Sequence, residues 1–463
     1  RIAGLRASLT RLELTSILRL LTMSSQPLSP NAPHLLSTGL TVEETRAAIS
    51  SLVDQLLDSG AIVETESVLL DQGLNRVLAS DVLSPIDVPA ADNSAMDGFA
   101  FRGTELSNAP LTRLIVVGTV FAGTPFSGSL AAGQCLKIMT GALMPTQCDT
   151  VIPQEMTQKL ATEADGLERI QFESNVVSSG ENRRLRGEDL AQGSVAIAAG
   201  RILRPSDLGL AASLGINTLT VKRKLRVAIL SSGNELRPLG TPLDSGSIYD
   251  SNRYSLMGLL NRLGLDVLDC GIIQDDPLAL KTAFLQAAST ADVIISSGGV
   301  SVGEADFTKQ VMQELGDVGF WKIAMRPGRP MAFGTLKPVP NQHPPRSTLF
   351  FGLPGNPVAV MVTFYQFVQS ALLQLSSATQ LRPPLTQAIT SAAIRKKPGR
   401  TEYQRGILDI GPDGRPQVRV TGSQGAGILR SMSEANCFIV LSHEQGNVAA
   451  GELVNVVLFE GLL

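Results

Sequence analysis

Four segments rich in glycine, proline and serine are the candidate functional loops of this sequence. Each follows a stretch with the composition of a buried strand, and they read SSGNE (231–235), SSGGVSVGEAD (296–306), MRPGRP (325–330) and GLPGNP (352–357). Small residues let backbone amides approach an oxyanion closely, and the amino-terminal ends of the helices behind them favour negative charge. If the strands are parallel, all four segments lie at one edge of the sheet and indicate a site for a phosphate-bearing or other anionic ligand.

Charged side chains accompany these segments. The cations are Lys322, Arg326 and Arg329, and the carboxylates are Glu235, Asp250 and Asp306. Hard carboxylate oxygens beside an anion are the ligands that Mg²⁺ prefers, because this ion bridges phosphates. The residues alone therefore predict Mg²⁺-dependent chemistry on a phosphate or pyrophosphate. A GxGxxG or Walker pattern is absent, so an ordinary dinucleotide or P-loop site is not expected.

Each of these polar residues also has a structural alternative. Asp250 and Asp306 each precede a predicted helix, where a carboxylate commonly caps the first turn. Asp97 begins an Asp-Gly pair of the kind found in turns. Asn356 and Pro357 have the types expected at the N-cap and first position of a helix. The sequence leaves the structural and the functional role open for each residue.

Composition excludes several classes of protein. No two of the four cysteines lie within four residues of each other, which excludes zinc-knuckle and CxxC spacing and favours free thiols in a reducing, cytoplasmic setting. With three histidines in polar or proline-rich segments, a histidine-centred triad is not expected. The net charge of −3 gives no electrostatic footprint for nucleic acid or an anionic membrane. We also expect no transmembrane helix, because we find no apolar run approaching the ~18–20 residues that span a bilayer.

The elements that must position the site change character along the chain. Residues 1–38 are basic and then rich in serine and proline, which is typical of a leader or disordered segment. Thr41 and Glu44 predict a capping box at the start of a helix over 41–58. Short β-like segments cut by glycine and proline over 98–200 predict a β-rich region.

A different pattern begins near residue 224 and continues to 376. Predicted strands (225–232, 265–273, 291–299, 320–325 and 348–354) alternate with predicted helices (252–264, 277–290, 307–315 and 357–375). This alternation indicates βαβ units around a parallel sheet that is buried on both faces. After residue 380 the chain becomes β-like again, which predicts a small C-terminal β domain.

Eight motifs, in this order and spacing, resemble the molybdopterin molybdenumtransferase family, which includes MoeA and the E domain of gephyrin. They are DVPAADNSAMDGFAF (87–101), FAGTPFSGSLAAGQCLKIMTGALMPTQCDTVIPQE (121–155), RRLRGEDL (183–190), SSGNEL (231–236), YDSN (249–252), SSGGVSVGEADFT (296–308), MRPGRPMAFG (325–334) and FGLPGNPVA (351–359). The resemblance runs from about residue 40 over nearly the whole remaining chain.

The resemblance implies a multi-domain α/β plus β fold. We expect an elongated chain with a doubly wound, mostly parallel α/β domain, a β-rich N-terminal region and a small C-terminal β domain. The predicted boundaries are a leader at 1–38, a mixed linker domain at 39–97 and 180–221, an inserted β-rich domain at 98–179, the α/β domain at 222–376 and the C-terminal domain at 377–463. Members of the family are homodimers with a cleft between the α/β domain of one subunit and the N-terminal region of the other.

The implied reaction joins molybdate to adenylylated molybdopterin, with Mg²⁺-dependent hydrolysis of the pyrophosphate link and release of AMP. By motif match, the catalytic set is Asp97, Thr140, Asp189, Glu235, Asp250 and Asp306, of which Glu235, Asp250 and Asp306 would bind the metal. The residues implied to bind substrate or anion are Gly298, Gly299, Ser301, Lys322, Arg326, Pro354, Pro357, Arg405 and Ser423. The adenylyltransferase and the acceptor molybdoenzymes are further candidate partners.

One departure from the family and two alternative functions follow from the same comparison. The family's MKPGKP-like segment is here MRPGRP, so arginine replaces lysine at 326 and 329. Arginine keeps the charge but exchanges a compact ammonium for a planar fork. A molybdopterin adenylyltransferase shares the α/β domain but needs no other, and a non-catalytic gephyrin-like scaffold would be expected to lose part of the carboxylate set.

Overall fold

A computed structural model describes residues 39–60, 64–106, 109–161, 163–299, 307–340 and 345–460. The predicted leader at 1–38 lies outside these residues. The first helix, α1 (Val42–Asp58), begins with the capping box that the sequence predicts. The Thr41 hydroxyl accepts a hydrogen bond from the Glu44 amide (3.1 Å), and the Glu44 carboxylate accepts one from the Thr41 amide (2.8 Å). The buried face of α1 packs into the core of the α/β unit.

The N-terminal region is built from short strands, as its glycine- and proline-cut pattern predicts. They are β1 (Thr65–Leu69), β2 (Val82–Leu83), β3 (Asn93–Ser94), β4 (Gly98–Phe101), β5 (Leu111–Val120), β6 (Gln134–Ile138), β7 (Thr150–Pro153), β8 (Gln158–Lys159), β9 (Glu168–Glu173), β10 (Arg183–Arg184), β11 (Val195–Ile197) and β12 (Thr218–Lys222), with one helix, α2 (Pro205–Ser213). Strands β4 to β9 form a six-stranded sheet in the order β7-β4-β6-β5-β9-β8. The outgoing strands β1, β2 and β3 pair with the returning strands β12, β11 and β10.

The α/β unit carries the sheet that positions the site. Its elements are β13 (Arg226–Ser232), β14 (Leu236–Arg237), β15 (Ile248–Tyr249), α3 (Ser251–Arg262), β16 (Asp266–Ile273), α4 (Pro277–Thr290), β17 (Val293–Ser297), α5 (Phe307–Leu315), β18 (Gly316–Lys322), β19 (Met325–Arg326), β20 (Pro330–Leu336), β21 (Thr348–Leu353) and α6 (Pro357–Leu375). The main sheet has the order β16-β13-β17-β21-β20-β18. Strands β16, β13, β17 and β21 are parallel, whereas β20 runs antiparallel to both β21 and β18.

Alternate residues of β13 enter two different cores, which makes the sheet doubly wound. Val227 and Ile229 pack on the face that α3 and α6 cover. Ala228 and Leu230 pack on the other face, against α4 and α5. Burial on both faces explains why the strand reads as an unbroken apolar run. The predicted strand at 320–325 is misplaced: β18 begins at Gly316 and ends at Lys322, because it pairs along its whole length with β20, which the sequence pattern did not indicate.

Helix α6 corrects the expectation that no apolar run in the chain approaches the length of a membrane-spanning helix. It has 19 residues and is long and apolar enough to cross a membrane, but 78% of its apolar window is buried inside the protein. The helix contains one π turn at Phe364–Val368. Its apolar length serves the core between the sheet and the C-terminal domain, where Phe364, Phe367 and Leu372 are buried.

The C-terminal domain is a closed β-barrel. Its elements are β22 (Thr386–Thr390), β23 (Thr401–Ile410), β24 (Pro416–Val420), α7 (Arg430–Glu434), β25 (Cys437–Leu441) and β26 (Leu453–Leu458). The strand order β23-β24-β22-β26-β25 closes through pairing of β25 with β23. The two-residue strand β19 adds to this sheet by pairing in parallel with Thr401 and Glu402 of β23. The barrel is thereby joined to the segment that follows β18.

Candidate active site

The four glycine- and proline-rich segments meet in one cleft of about 680 Å³. Three of them follow the carboxyl ends of the parallel strands β13, β17 and β21. The fourth follows β18, which runs in the direction of β21 because β20 reverses between them. The barrel closes one side through Gln424 and Ala426. The expectation that the four segments share one edge is therefore confirmed for their described residues.

Two adjacent glycines form the floor of the cleft. Gly298 and Gly299 have φ angles of +91° and +67°, a region that side chains with a Cβ rarely adopt. A Cβ on Gly298 would lie 2.4 Å from the Ser232 carbonyl oxygen, and one on Gly299 would lie 2.2 Å from Thr308 Oγ1. Only glycine therefore fits at these two positions, where the backbone after β17 packs closely against Ser232 at the end of β13 and Thr308 on α5.

The segment after β21 forms the next wall and is held by a side chain from α3. Pro354 and Asn356 line the cleft, and Pro357 is at the start of α6, as the sequence predicts, although the Asn356 side chain makes no capping hydrogen bond. The Asn252 amide donates hydrogen bonds to Ser297 Oγ and to the Gly355 carbonyl oxygen, both at 2.8 Å. This amide therefore ties two walls of the cleft together.

Glu235 and Asp275 place two carboxylates on one wall. Burial raises the pKa of Asp275, and the negative charge of Glu235 raises this pKa further, while a hydrogen bond at Asn234 lowers it. The two groups are thus close enough to repel each other. A cation between or beside them would relieve that repulsion.

Asp250, by contrast, has a structural role. It is only 2% exposed, and its carboxylate accepts hydrogen bonds from the Ser231 hydroxyl (3.1 Å) and from the Arg253 amide at the start of α3 (3.2 Å). Arg253 also pairs with it through Nε at 3.0 Å. The structure gives Asp250 the helix-capping role that the sequence left open and places it outside the lining of the cleft.

Two arginines also line the cleft. Arg326 and Arg329 line the cleft, whereas Lys322 is exposed at the end of β18 and does not. Arg326 also lines an adjoining cavity of about 250 Å³, together with Glu402 and Arg405 of the barrel. Arg326 and Glu402 form a long ion pair of 3.9 Å.

Arg405 is a buried cation without a carboxylate partner in the described part of the chain. It is 1% exposed, and its guanidinium donates to Ser431 Oγ and to the Gly425 carbonyl oxygen, both at 3.0 Å. Ser423 offers only its carbonyl oxygen, at 3.5 Å. Burial, with the nearby charge of Arg326, lowers the pKa of Arg405 to about 10, so the group stays charged at neutral pH.

Asp97 and Thr140 form a pair in the N-terminal region, away from the lining of the cleft. The Thr140 amide and hydroxyl both donate to Asp97 Oδ1, at 2.6 and 2.7 Å. These two hydrogen bonds lower the pKa of Asp97 and keep it ionised. Asp189 is exposed in the same region and does not line the cleft. Asp306 and Ser301 lie outside the described residues.

Family models match three stretches of the chain: the MoeA N-terminal region (domains I and II) at 40–215, the probable molybdopterin-binding domain at 228–374 and the MoeA C-terminal region (domain IV) at 387–459. A molybdopterin molybdenumtransferase of Haemophilus influenzae is 43% identical over 92% of this chain and 100% of its own length. The chain belongs to the MoeA family. A molybdopterin molybdenumtransferase of Nostoc is 33% identical over 93% of this chain and 96% of its own length.

Solved structures agree with this membership. The molybdopterin biosynthesis MoeA protein of Pyrococcus horikoshii covers 91% of this chain and 100% of its own, at 27% identity and a TM-score of 0.73. The resemblance to the family and the predicted fold class are therefore confirmed. The arrangement of a β-rich N-terminal part, an α/β sheet and a C-terminal barrel is that of the MoeA fold.

Asp275 is the charged residue in the described lining of this MoeA cleft that the sequence analysis missed. It follows the carboxyl end of β16, two residues after Ile273, in the segment QDDP. Segments that follow the carboxyl ends of parallel strands lie at one edge of the sheet. This holds for the segment after β16 as well, because β16 is parallel to β13. The segment escaped attention because it contains no glycine.

Proposed function

We propose that this chain inserts molybdenum into molybdopterin, the activity for which its relatives in Haemophilus influenzae and Nostoc are named. The chain is an enzyme of this family and serves the biosynthesis of the molybdenum cofactor. One observation carries the proposal: a single cleft is lined by two carboxylates, Glu235 and Asp275, and by two arginines, Arg326 and Arg329. The arginines suit an anionic substrate such as a phosphate, and the carboxylates suit a metal cation that binds with it.

The proposed organic substrate is adenylylated molybdopterin. Water adds across its phosphorus–oxygen–phosphorus link, so that AMP leaves and the phosphate of molybdopterin remains. The two dithiolene sulfurs replace one oxygen of molybdate, which leaves as water with the two thiol protons, and the molybdenum keeps its oxidation state. Arg326 and Arg329 would offset the charge of the phosphates, and Arg405 the charge of molybdate. Amides of the segment around Gly298, which lines the cleft, would approach the phosphate oxygens.

A divalent cation fits the acidic wall, and we propose Mg²⁺. Among the described residues no group of three or more His, Cys, Asp or Glu side chains could hold a metal by itself. Mg²⁺ does not require one, because it is commonly bound by one or two carboxylates together with substrate phosphates and water. Glu235 and Asp275 would hold it. The cation would neutralise charge on the phosphate oxygens.

We further propose a homodimer in which each site is shared. Asp97 and Thr140 do not line the cleft of their own chain. Apolar side chains are exposed beside them, namely Met96 and Leu143, and others are exposed beside the cleft, namely Leu239, Leu243 and Ile248. Two such patches on one chain suit a twofold assembly that lays one subunit's N-terminal region over its partner's cleft. We also propose a cytoplasmic location, which the four unpaired cysteines favour.

The test is to incubate the purified protein with adenylylated molybdopterin, Mg²⁺ and molybdate, and to measure AMP release and reconstitution of an apo-molybdoenzyme. We expect both, and we expect AMP release to require molybdate and the divalent cation. Formation of adenylylated molybdopterin from ATP and molybdopterin would instead indicate the adenylyltransferase alternative. Absence of either reaction would favour the scaffold. No specific observation in the structure supports these alternatives.

A further inference from the structure

Ser232 has a buried hydroxyl to which the described part of the fold gives no partner. It is the last residue of β13, is 4% exposed and lines the cleft. Its Oγ atom makes no hydrogen bond with any residue that the structure describes. A buried hydroxyl that loses water and gains no hydrogen bond reduces stability. A polar group in this state at a ligand cleft calls for an explanation.

Two neighbouring serines, Ser231 and Ser297, show that the fold can supply partners here. The Ser231 hydroxyl donates to Asp250, and the Ser297 hydroxyl accepts from Asn252. Ser296, on the adjacent strand, also has a hydroxyl without a partner, but it is fully buried and does not line the cleft. Ser232 therefore differs from its neighbours in combining an unused donor with access to the cleft.

The position of the hydroxyl specifies which part of a ligand it meets. Ser232 Oγ lies 3.0 Å from the place where a Cβ on Gly299 would stand, and 3.4 Å from that place on Gly298. It is thus next to Gly298 and Gly299, which both line the cleft. A ligand group reaching this floor meets backbone amides and a hydroxyl, which are donors suited to an anion's oxygen atoms.

We propose that Ser232 is a substrate-binding residue whose hydroxyl donates a hydrogen bond to a phosphate oxygen of the organic substrate. The inference rests on the proposed function, because that function supplies the pyrophosphate. The phosphate bound at the glycine floor takes the place of the missing partner. The hydroxyl therefore makes its hydrogen bond with the substrate and not within the fold.

The experiment compares Ser232→Ala with the matched control Ser296→Ala. Both remove a buried hydroxyl without a partner, so we expect both to keep or raise the melting temperature. Titration calorimetry with inorganic pyrophosphate in the presence of Mg²⁺ should show about tenfold to a hundredfold weaker binding for Ser232→Ala only, as expected for one hydrogen bond to a charged acceptor. The same variant should raise KM for adenylylated molybdopterin.

Three results would overturn the inference. They are pyrophosphate binding by Ser232→Ala equal to that of the unchanged protein, an equal loss in Ser296→Ala, and no pyrophosphate binding by the unchanged protein. A loss of binding that only follows a fall in melting temperature would also count against it. If the unchanged protein binds pyrophosphate but never releases AMP, the proposed function fails while the role of Ser232 in binding phosphate stands.

Discussion

A shared site in a dimer predicts a specific pattern of complementation between inactive subunits. Asp97→Asn lies on the N-terminal region, and Glu235→Gln lies on the α/β cleft. Both substitutions keep the shape of the side chain and one acceptor oxygen while they remove the charge. We expect each homodimer to lose about 10²-fold in activity, as is typical when an electrostatic group at a site is removed.

The heterodimer should recover about half of the unchanged activity. If each site joins one subunit's N-terminal region to its partner's cleft, one site of the heterodimer carries both substitutions and the other carries neither. Random 1:1 association makes roughly half of all dimers heterodimers, so an unfractionated mixture should show about one quarter of the unchanged activity. Both values lie far above the roughly 1% of either parent.

Co-expression with two affinity tags and sequential purification would isolate the heterodimer for an assay of AMP release. The matched control pairs Glu235→Gln with Asp275→Asn, because both substitutions lie on the cleft and every site of that heterodimer carries one of them. The control should therefore stay near the parents. Purified Asp97→Asn/Glu235→Gln heterodimers with activity no higher than the parents would refute the shared site.

Three further predictions separate ligand binding from stability. Asp275→Asn should raise the melting temperature at pH 7, because a carboxyl whose pKa is raised in the fold destabilises the folded state at pH values above its unfolded pKa. The same substitution should abolish the increase in melting temperature that Mg²⁺ causes in the unchanged protein. Asp250→Ala should lower the free energy of unfolding by about 3 kcal/mol or more in urea titrations, because a buried ion pair and a helix cap are lost together, with little change in turnover per folded molecule. Arg405→Lys should raise the molybdate concentration needed for half-maximal AMP release more than the KM for adenylylated molybdopterin, because an ammonium cannot reproduce the planar fork; equal increases would contradict that role.

The sequence predicted what local patterns determine. The capping box at Thr41 and the start of α6 at Pro357 follow from residue types a few positions apart, and the buried parallel strands follow from unbroken apolar runs. The hairpin of β18 and β20 was missed because it depends on pairing between residues that have little strand pattern of their own.

The sequence predicted correctly which residues line the cleft where strand direction determines their position. It did not determine the role of a side chain that could serve either the fold or the site. Glu235, Arg326 and Pro354 lie on one cleft because the ends of similarly directed strands share an edge. The position of Asp250 in sequence fits a metal ligand as well as a helix cap, and only its contacts with Ser231 and Arg253 distinguish the two roles. The convergence of Asp97 with the cleft depends on a second subunit and stays a prediction.

Three polar or charged groups at the cleft and its adjoining cavity, Arg405, Asp275 and Ser232, are incompletely paired by the described part of the fold. Asp292, far along the sheet from the cleft, shows what the fold provides for a purely structural charge: it is buried, pairs with Arg223 and Arg346 and accepts a backbone hydrogen bond from Arg226. Arg405 is equally buried but has no carboxylate partner within the described chain.

Asp275 and Ser232 complete this contrast. Asp275 is held beside another carboxylate, and Ser232 has an unused hydroxyl. Each of these three arrangements costs stability in the free protein, and each would be relieved by one part of the proposed substrates: an oxyanion at Arg405, a divalent cation at Asp275 and a phosphate oxygen at Ser232. Because the fold pairs Asp292 fully, we interpret the incomplete pairing of Arg405, Asp275 and Ser232, which line the cleft or its adjoining cavity, as a contribution to ligand binding.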